Sequence, residues 1–430
     1  MRPAAPSRMD LRRRVVVITG ASSGLGRAIA LEIARRGGNV VLAARRRHAL
    51  EDTAQRCRAA GAEALVVPTD VTSEQEVDNL TKLAMERFGS IDIWINNAGV
   101  TLYEKLEYGP LEQNRRVIET NLIGTIIGAR AAVTVFREQG HGVLINMGSV
   151  LSHVGQAFVP AYVISKHGVR GVSEALRVEL ADQPDIHVCT VCPYAIDTQH
   201  FEVAASGIGR APFALPPVQS PEKVARAVAD VCERPRRMRY VPRIIALGVV
   251  AHAIAPRTSE RLLLAALRRW HMSNEPQAIG QGNLYDPPAV AAHTHGTRPP
   301  MISTPGLVAW LSLQLVKHGA ESVRRRTNGL ARAPRAGAQA VLPVDRPRRT
   351  ARGTTSPMQP RARTGGWFAT FAARAVRLVA RYQIAISVAT LGFAARALAK
   401  QTHHVDPRVR VAARATRWML QRRELAARSA

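Results

Sequence analysis

The chain has 430 residues, is 46% apolar by composition and carries a formal net charge of +28. This length suits one large domain with a substantial extension, or two domains. The apolar fraction is that of a soluble globular protein, and no apolar run is long enough to span a bilayer. Residues 321–430 hold 23 Lys/Arg against 4 Asp/Glu, so the basic excess belongs mainly to the tail and says little about the front of the chain.

From the N-terminus, a basic stretch precedes an apolar strand, Arg14–Ile18, too short for the apolar core of a signal peptide. The strand runs straight into T-G-A-S-S-G-L-G (19–26), and a helix closed by Gly37 and Gly38 follows. Strand, glycine turn and helix are the context of a phosphate-binding loop. Glycines admit a pyrophosphate to the backbone, and the helix start offers free N–H groups. The candidates there are Gly20, Ser22, Ser23, Gly24, Leu25 and Gly26. The next strand ends at Ala44 and is followed by Arg45, Arg46 and Arg47. A carboxylate at this place would grip a ribose diol, whereas guanidinium groups suit a 2′-phosphate. NADP(H) is therefore preferred over NAD(H), with an ordinary basic helix start as the bland reading.

A helix over about 48–60, a strand ending at Asp70 and Val71, an amphipathic helix and a strand within Ile91–Gly99 continue the alternation. Asp70 would cap the following helix or meet the adenine. Alternation of this kind builds a parallel sheet with helices on both faces, and ligands bind beyond the carboxyl ends of its strands. Residues 111–138 read as one long helix whose apolar face is interrupted by Asn121, a core amide or a holder of water.

After the strand G-V-L-I-N-M, the stretch Ser149–Lys166 carries the chemistry. Pro160 suits a helix start, which places Tyr162 and Lys166 one turn apart on one face. An ammonium beside a phenol lowers the phenol pKa and equips it to exchange a proton with a substrate oxygen. Ser149 can hydrogen-bond the same oxygen. Cys189 and Cys192 lie in the strand I-H-V-C-T-V-C-P, where residues three apart face opposite sides, so they read as buried thiols rather than a disulfide or metal pair. No metal site is expected, and the cysteine usage fits a reducing, cytoplasmic setting.

These motifs, in this order and spacing, resemble the short-chain dehydrogenase/reductase family over about residues 11–245. They are T-G-A-S-S-G-L-G, Asp70-Val71, N-N-A-G (96–99), Asn121, Ser149 and Y-V-I-S-K (162–166). The chain also looks like a bacterial subgroup related to the dehydrogenase/reductase 7B-type proteins. The resemblance implies an α/β fold, a Rossmann-type doubly wound parallel sheet, and hydride transfer between a carbonyl and a secondary alcohol. It implies Tyr162 as general acid/base, Lys166 holding the nicotinamide ribose and lowering the Tyr162 pKa, and Ser149 steadying the substrate oxygen. Asn121 would anchor a relay water, and Asn97, Ala98 and Gly99 would line the cofactor. Pro193, Ile196 and Thr198 would bracket the nicotinamide, although Tyr194 stands where the family usually has glycine. Residues 199–220 would be a mobile lid, and its apolar side chains favour a hydrophobic substrate. Family members commonly pair through their two long helices, so a homodimer or homotetramer is expected.

The expected organisation is a basic extension (1–10), a catalytic domain (11–270), a linker or extended wrapping segment leading into a low-complexity stretch (271–365) and a basic amphipathic helical tail (366–430). Residues 301–320 suit a short helix, and 321–365 read as disordered. The tail suits either an anionic membrane surface, peripheral on the inner face, or a soluble accessory role. Nucleic acid is disfavoured for want of an aromatic-interleaved module. The competing function is a catalytically idle, NADP-binding scaffold or tethered protein acting through this tail.

Overall fold

The computed structural model describes residues 9–287 and 291–330, with side chains described as far as 317. In chain order, β1 (Val15–Thr19), α1 (Gly24–Arg35), β2 (Asn39–Ala44), α2 (Arg47–Ala59), β3 (Ala64–Pro68), α3 (Glu74–Phe88) and β4 (Ile93–Asn96) alternate as expected. After the short β5 (Leu102–Tyr103) come α4 (Leu111–Ile118) and α5 (Gly124–Gln139), joined by a single π-turn, Glu119–Ile123. β6 (Gly142–Met147), a 3-10 turn (Val150–Ser152), α6 (Pro160–Glu179) and β7 (Ile186–Pro193) follow. The segment expected to act as a lid, residues 199–220, contains α7 (His200–Val203), β8 (Ala205–Ser206) and β9 (Arg210–Pro212). Then come α8 (Pro221–Glu233), β10 (Met238–Val241), α9 (Ile245–Ile254), α10 (Pro256–Ala266), a π-turn (Leu267–His271) and β11 (Met272–Pro276).

Seven strands form one parallel sheet in the order β10-β7-β6-β4-β1-β2-β3. The chain begins in the middle and winds outward in both directions, so strand order reverses between β1 and β4. That reversal opens a crevice at the carboxyl edge of the sheet. Side chains alternate along each strand. Val16, Ile18, Val40, Leu42, Ile93 and Ile95 pack on one face with residues of α1 and α8. Val15, Val17, Val41, Trp94 and Leu144 pack on the other with Leu80, Ala132 and Phe136. Burying each large apolar side chain contributes roughly 1.5–3 kcal/mol, so the double-sided sheet is the main source of stability.

Several local expectations need correction. The helix over 111–138 is continuous in direction but changes register at the π-turn that carries Asn121. Ser73, not Asp70, caps α3: its hydroxyl accepts from the Glu76 N–H at 3.3 Å. The four cysteines are free and buried, including Cys189 and Cys192 on β7, in keeping with the expectation. The apolar segment before Pro256 forms α9 but leaves Ile244, Leu247, Val250 and Ile254 exposed. Among the described residues no helix is long and apolar enough to cross a membrane.

Residues 271–287 and 291–298 wrap the domain. β11 pairs with β9, Asn283 and Tyr285 offer their carbonyls to Arg45, and Ala291–His293 hydrogen-bond with Gly24, Arg27 and Gln199. The chain divides into a unit ending at Thr304 and a second beginning at Pro305. Within the second, α11 (Thr304–Leu330) runs ten residues past the short helix expected at 301–320. Residues 320–327 are mostly helix-compatible, and the next proline is Pro334, so nothing stops the helix earlier. The basic helical tail expected at 366–430 lies outside the described residues.

Candidate active site

The glycine turn between β1 and α1 has steric reasons for its sequence. Gly20 adopts φ +67°, and a Cβ there would come within 2.9 Å of the Ala98 Cα. A Cβ on Gly26 would lie 2.2 Å from the Gly20 carbonyl oxygen, so α1 could not start so close to the turn with any other residue. Asn97 ties this turn to the end of β4: its amide Nδ2 donates to the Thr19 carbonyl at 2.9 Å, and its N–H donates to the Thr19 hydroxyl at 2.9 Å.

One large cavity lies along this edge. Gly20, Ser22–Gly26, Arg45, Asp70, Val71, Asn97–Gly99, Ser149, Tyr162, Lys166, Pro193, Ile196 and Thr198 all line it. The residues singled out from the sequence therefore converge, with one exception. Asn121 is fully buried behind the wall. Its Oδ1 accepts from the Val100 N–H at 2.7 Å, and its Nδ2 donates to the Val100 carbonyl at 2.9 Å and the Ser165 hydroxyl at 3.1 Å. With its side chain fully engaged, Asn121 fixes the N-N-A-G turn rather than presenting an amide to a ligand.

Ser149, two residues past β6, has extended backbone and caps the turn that follows, accepting from the Leu151 N–H at 3.1 Å. That leaves its own hydroxyl proton for the Tyr162 oxygen, with which it is hydrogen-bonded. Tyr162 and Lys166 sit on the first turns of α6. The Lys166 ammonium lies 5.5 Å from the Tyr162 ring centre and donates to the Met147 carbonyl at 2.8 Å. Without ligand, the expected low phenol pKa is absent. Burial pushes Tyr162 up to about 12, outweighing the Ser149 hydrogen bond, and burial pushes Lys166 down to about 8. The ammonium sits over the ring rather than at the hydroxyl, so desolvation wins.

Asp70 lies at the far end of the cavity, accepting from the Thr72 N–H and hydroxyl and from Arg116 at 3.0 Å. Arg45 and Arg46 also line this part of the cavity, and burial holds both below the usual guanidinium range; Asp70 opposes that shift at Arg45 and Arg116 adds to it, while Arg45 adds to it at Arg46. Arg116 also donates to the Leu284 carbonyl at 3.0 Å and lies 5.8 Å from the Tyr285 ring centre. Over the glycine turn, the Gly24 N–H donates to the His293 carbonyl at 2.8 Å.

Sequence reasoning missed several cavity residues. His200 lies on α7, 2.6 Å from the Thr101 hydroxyl and with its ring centre 6.2 Å from that of Tyr162. Burial pushes its pKa down to about 4. Tyr103, Gln156 and His271 also line the cavity. Tyr194, singled out from the sequence, lines it too, and burial pushes its phenol up to about 12. The one signal available was a polar or ionisable residue set in an apolar lid or strand, which is too common to read alone.

A model of the short chain dehydrogenase family matches residues 14–208. The chain is 30% identical over 332 residues to the uncharacterized oxidoreductase YxnA of Bacillus subtilis (strain 168), covering 72% of this chain and 93% of that protein. The chain belongs to the short-chain dehydrogenase/reductase family. It is accordingly an NAD(P)-dependent oxidoreductase acting on CH–OH or C=O groups. It is also 33% identical over 202 residues to the human dehydrogenase/reductase SDR family member 7, covering 46% of this chain and 60% of that protein. An alcohol dehydrogenase from the archaeon Thermococcus sibiricus, complexed with 5-hydroxy-NADP, aligns with a TM-score of 0.47 at 28% identity, over 53% of this chain and 95% of that one.

Proposed function

We propose that this protein is an NADP(H)-dependent reductase of a hydrophobic carbonyl compound, with Tyr162 as its general acid/base. The observation that carries this reading is the convergence of Ser149, Tyr162 and Lys166 in the cavity that begins at the Gly20–Gly26 turn. A bound nicotinamide would supply the hydride. The protonated Tyr162 phenol donates to the substrate oxygen as negative charge develops there, and Ser149 hydrogen-bonds the same oxygen. Lys166 holds the cofactor ribose and favours return of a proton to Tyr162.

Support for NADP(H) comes from the adenosine end. β2 ends at Ala44 without a carboxylate, and the two adjacent, partly desolvated guanidinium groups of Arg45 and Arg46 would be relieved by a phosphate dianion. Support for a hydrophobic substrate comes from the apolar walls around Tyr162: Leu151, Val159, Phe201, Val203 and Leu215. Pairing into a homodimer or homotetramer through the helices at 111–138 and 160–181 belongs to the same reading. The test is NADPH oxidation by purified protein over a panel of apolar ketones and aldehydes. If wild type and Tyr162→Phe were equally inactive on every substrate while NADPH still bound, the reading would fail.

A further inference from the structure

Two buried polar groups beside the substrate space have poor partners or none. His271 ends the π-turn after α10 and is 4% exposed. Its Nδ1 lies 2.5 Å from the Phe213 carbonyl oxygen. A carbonyl can only accept, so Nδ1 carries the proton and Nε2 keeps a lone pair. Burial holds the ring to a pKa of about 4, so it is neutral at physiological pH. Nε2 then has a single, long contact, the Gln156 amide nitrogen at 3.4 Å. Tyr103 is 3% exposed, with its ring centre 5.7 Å from that of His271, and its hydroxyl has no hydrogen-bond partner among the described residues. Both side chains line the cavity, and Tyr103 packs in one cluster with Tyr162.

An acceptor with one long contact and a hydroxyl on the cavity wall without a partner among the described residues are both available to a ligand. We infer that Tyr103, Gln156 and His271 form a second polar handle in the substrate cavity, recognising a neutral hydroxyl on the substrate other than the oxygen that reacts. This rests on the reading of Tyr162 given above. A hydroxyl donates to His271 Nε2 and accepts from the Tyr103 phenol or the Gln156 amide. A carboxylate would meet the His271 lone pair with its own. The cations on the cavity wall are Lys166, beside Tyr162, and Arg45, Arg46 and Arg116, grouped with Asp70. Arg298 acts on Tyr103 from outside the wall and is hydrogen-bonded to Gln277 at 3.3 Å. The substrate class is therefore an uncharged, largely apolar hydroxyketone, or the corresponding diol.

The test uses the full-length protein and NADPH with matched ketone chains: plain, bearing a hydroxyl at successive positions, or ending in a carboxylate. For the best hydroxyketone, kcat/KM should exceed that of the plain ketone by about tenfold, mainly through KM, and keto acids should be poorest. Tyr103→Phe removes one oxygen, and Gln156→Leu removes the amide. Each should bring that ratio close to one while leaving the plain ketone within about threefold of wild type. His271 is left intact because its Nδ1 also holds the lid carbonyl of Phe213. A ratio unchanged in both variants, equal losses on both substrates, or a wild type indifferent to the hydroxyl would overturn the handle while leaving the reductase reading intact. No turnover of any member, with cofactor bound, would remove both.

Discussion

Lys166 lies above the ring of Tyr162, 5.5 Å from its centre, and spends a hydrogen bond on the Met147 carbonyl rather than on the phenol. With Lys166 held down to about 8 and Tyr162 up at about 12, the free enzyme at neutral pH holds a charged lysine and a protonated tyrosine. Both are in the state that carbonyl reduction needs. The reductive kcat/KM should therefore be flat through neutral pH and fall with an apparent pKa near 8 as Lys166 loses its proton. A pH series on wild type and Lys166→Met checks this, since the variant should lose the limb. Tyr162→Phe should lower kcat by about 10²–10⁴ without loss of NADPH binding, read by nucleotide fluorescence.

Arg45 donates to the carbonyls of Asn283 and Tyr285, and under the proposed reading it also meets the 2′-phosphate of NADP(H). These roles separate by cofactor. If the phosphate contact operates, Arg45→Ala should weaken NADPH by roughly ten- to a hundredfold more than NADH. If Arg45 serves only the carbonyls, both cofactors should weaken alike. Dissociation constants for the two nucleotides decide between them.

Gln199 donates to the Ala291 carbonyl at 2.7 Å and accepts from the His293 N–H at 2.9 Å, holding the wrapping segment at the base of α7. Two hydrogen bonds of about 1 kcal/mol each are at stake. Gln199→Leu should speed NADPH release about tenfold, as measured by stopped-flow displacement. An unchanged off-rate would show that the segment does not restrain the nucleotide.

His271 makes stability depend on pH. Its folded pKa, about 4, lies below the ordinary 6.5, so the unfolded chain binds the proton first as pH falls. The associated stability is fully present above pH 6.5 and is lost as pH falls towards 4. The loss is on the order of 2–3 kcal/mol. Urea midpoints at pH 7 and 4.5 should converge in His271→Gln relative to wild type.

Much of the sheet and the reacting end of the site could be read from the chain because those signals are local. A strand, a glycine turn and a helix follow one another between Val15 and Arg35, and Tyr162 and Lys166 are four apart. Asn121 was visible as a polar break in an apolar face, but its partners were not: Val100 is 21 residues away and contributes only backbone groups. Removing them by Asn121→Ala would leave a buried N–H and carbonyl unpaired, a loss of roughly 2–4 kcal/mol visible in urea unfolding. The wrapping segment was harder still. Arg45 and Tyr285 are 240 residues apart, and the acceptors are main-chain carbonyls that any sequence would provide. His271 reaches the cavity only because α10 and its π-turn deliver it there, a tertiary fact with no periodic trace.

Residues 283–285 hold Arg45 and Arg116, and residues 291–297 hold Gln199 and Glu202, so both places on the cavity rim are tied by chain that follows the sheet. That chain lies wholly beyond residue 208, where the match to the family model stops. A minimal enzyme cut to the shared family core would keep every group that touches the reacting oxygen. It would lose the chain that hydrogen-bonds Arg45, Arg116, Gln199 and Glu202. For engineering, the portable unit of this protein is therefore longer than its recognisable domain.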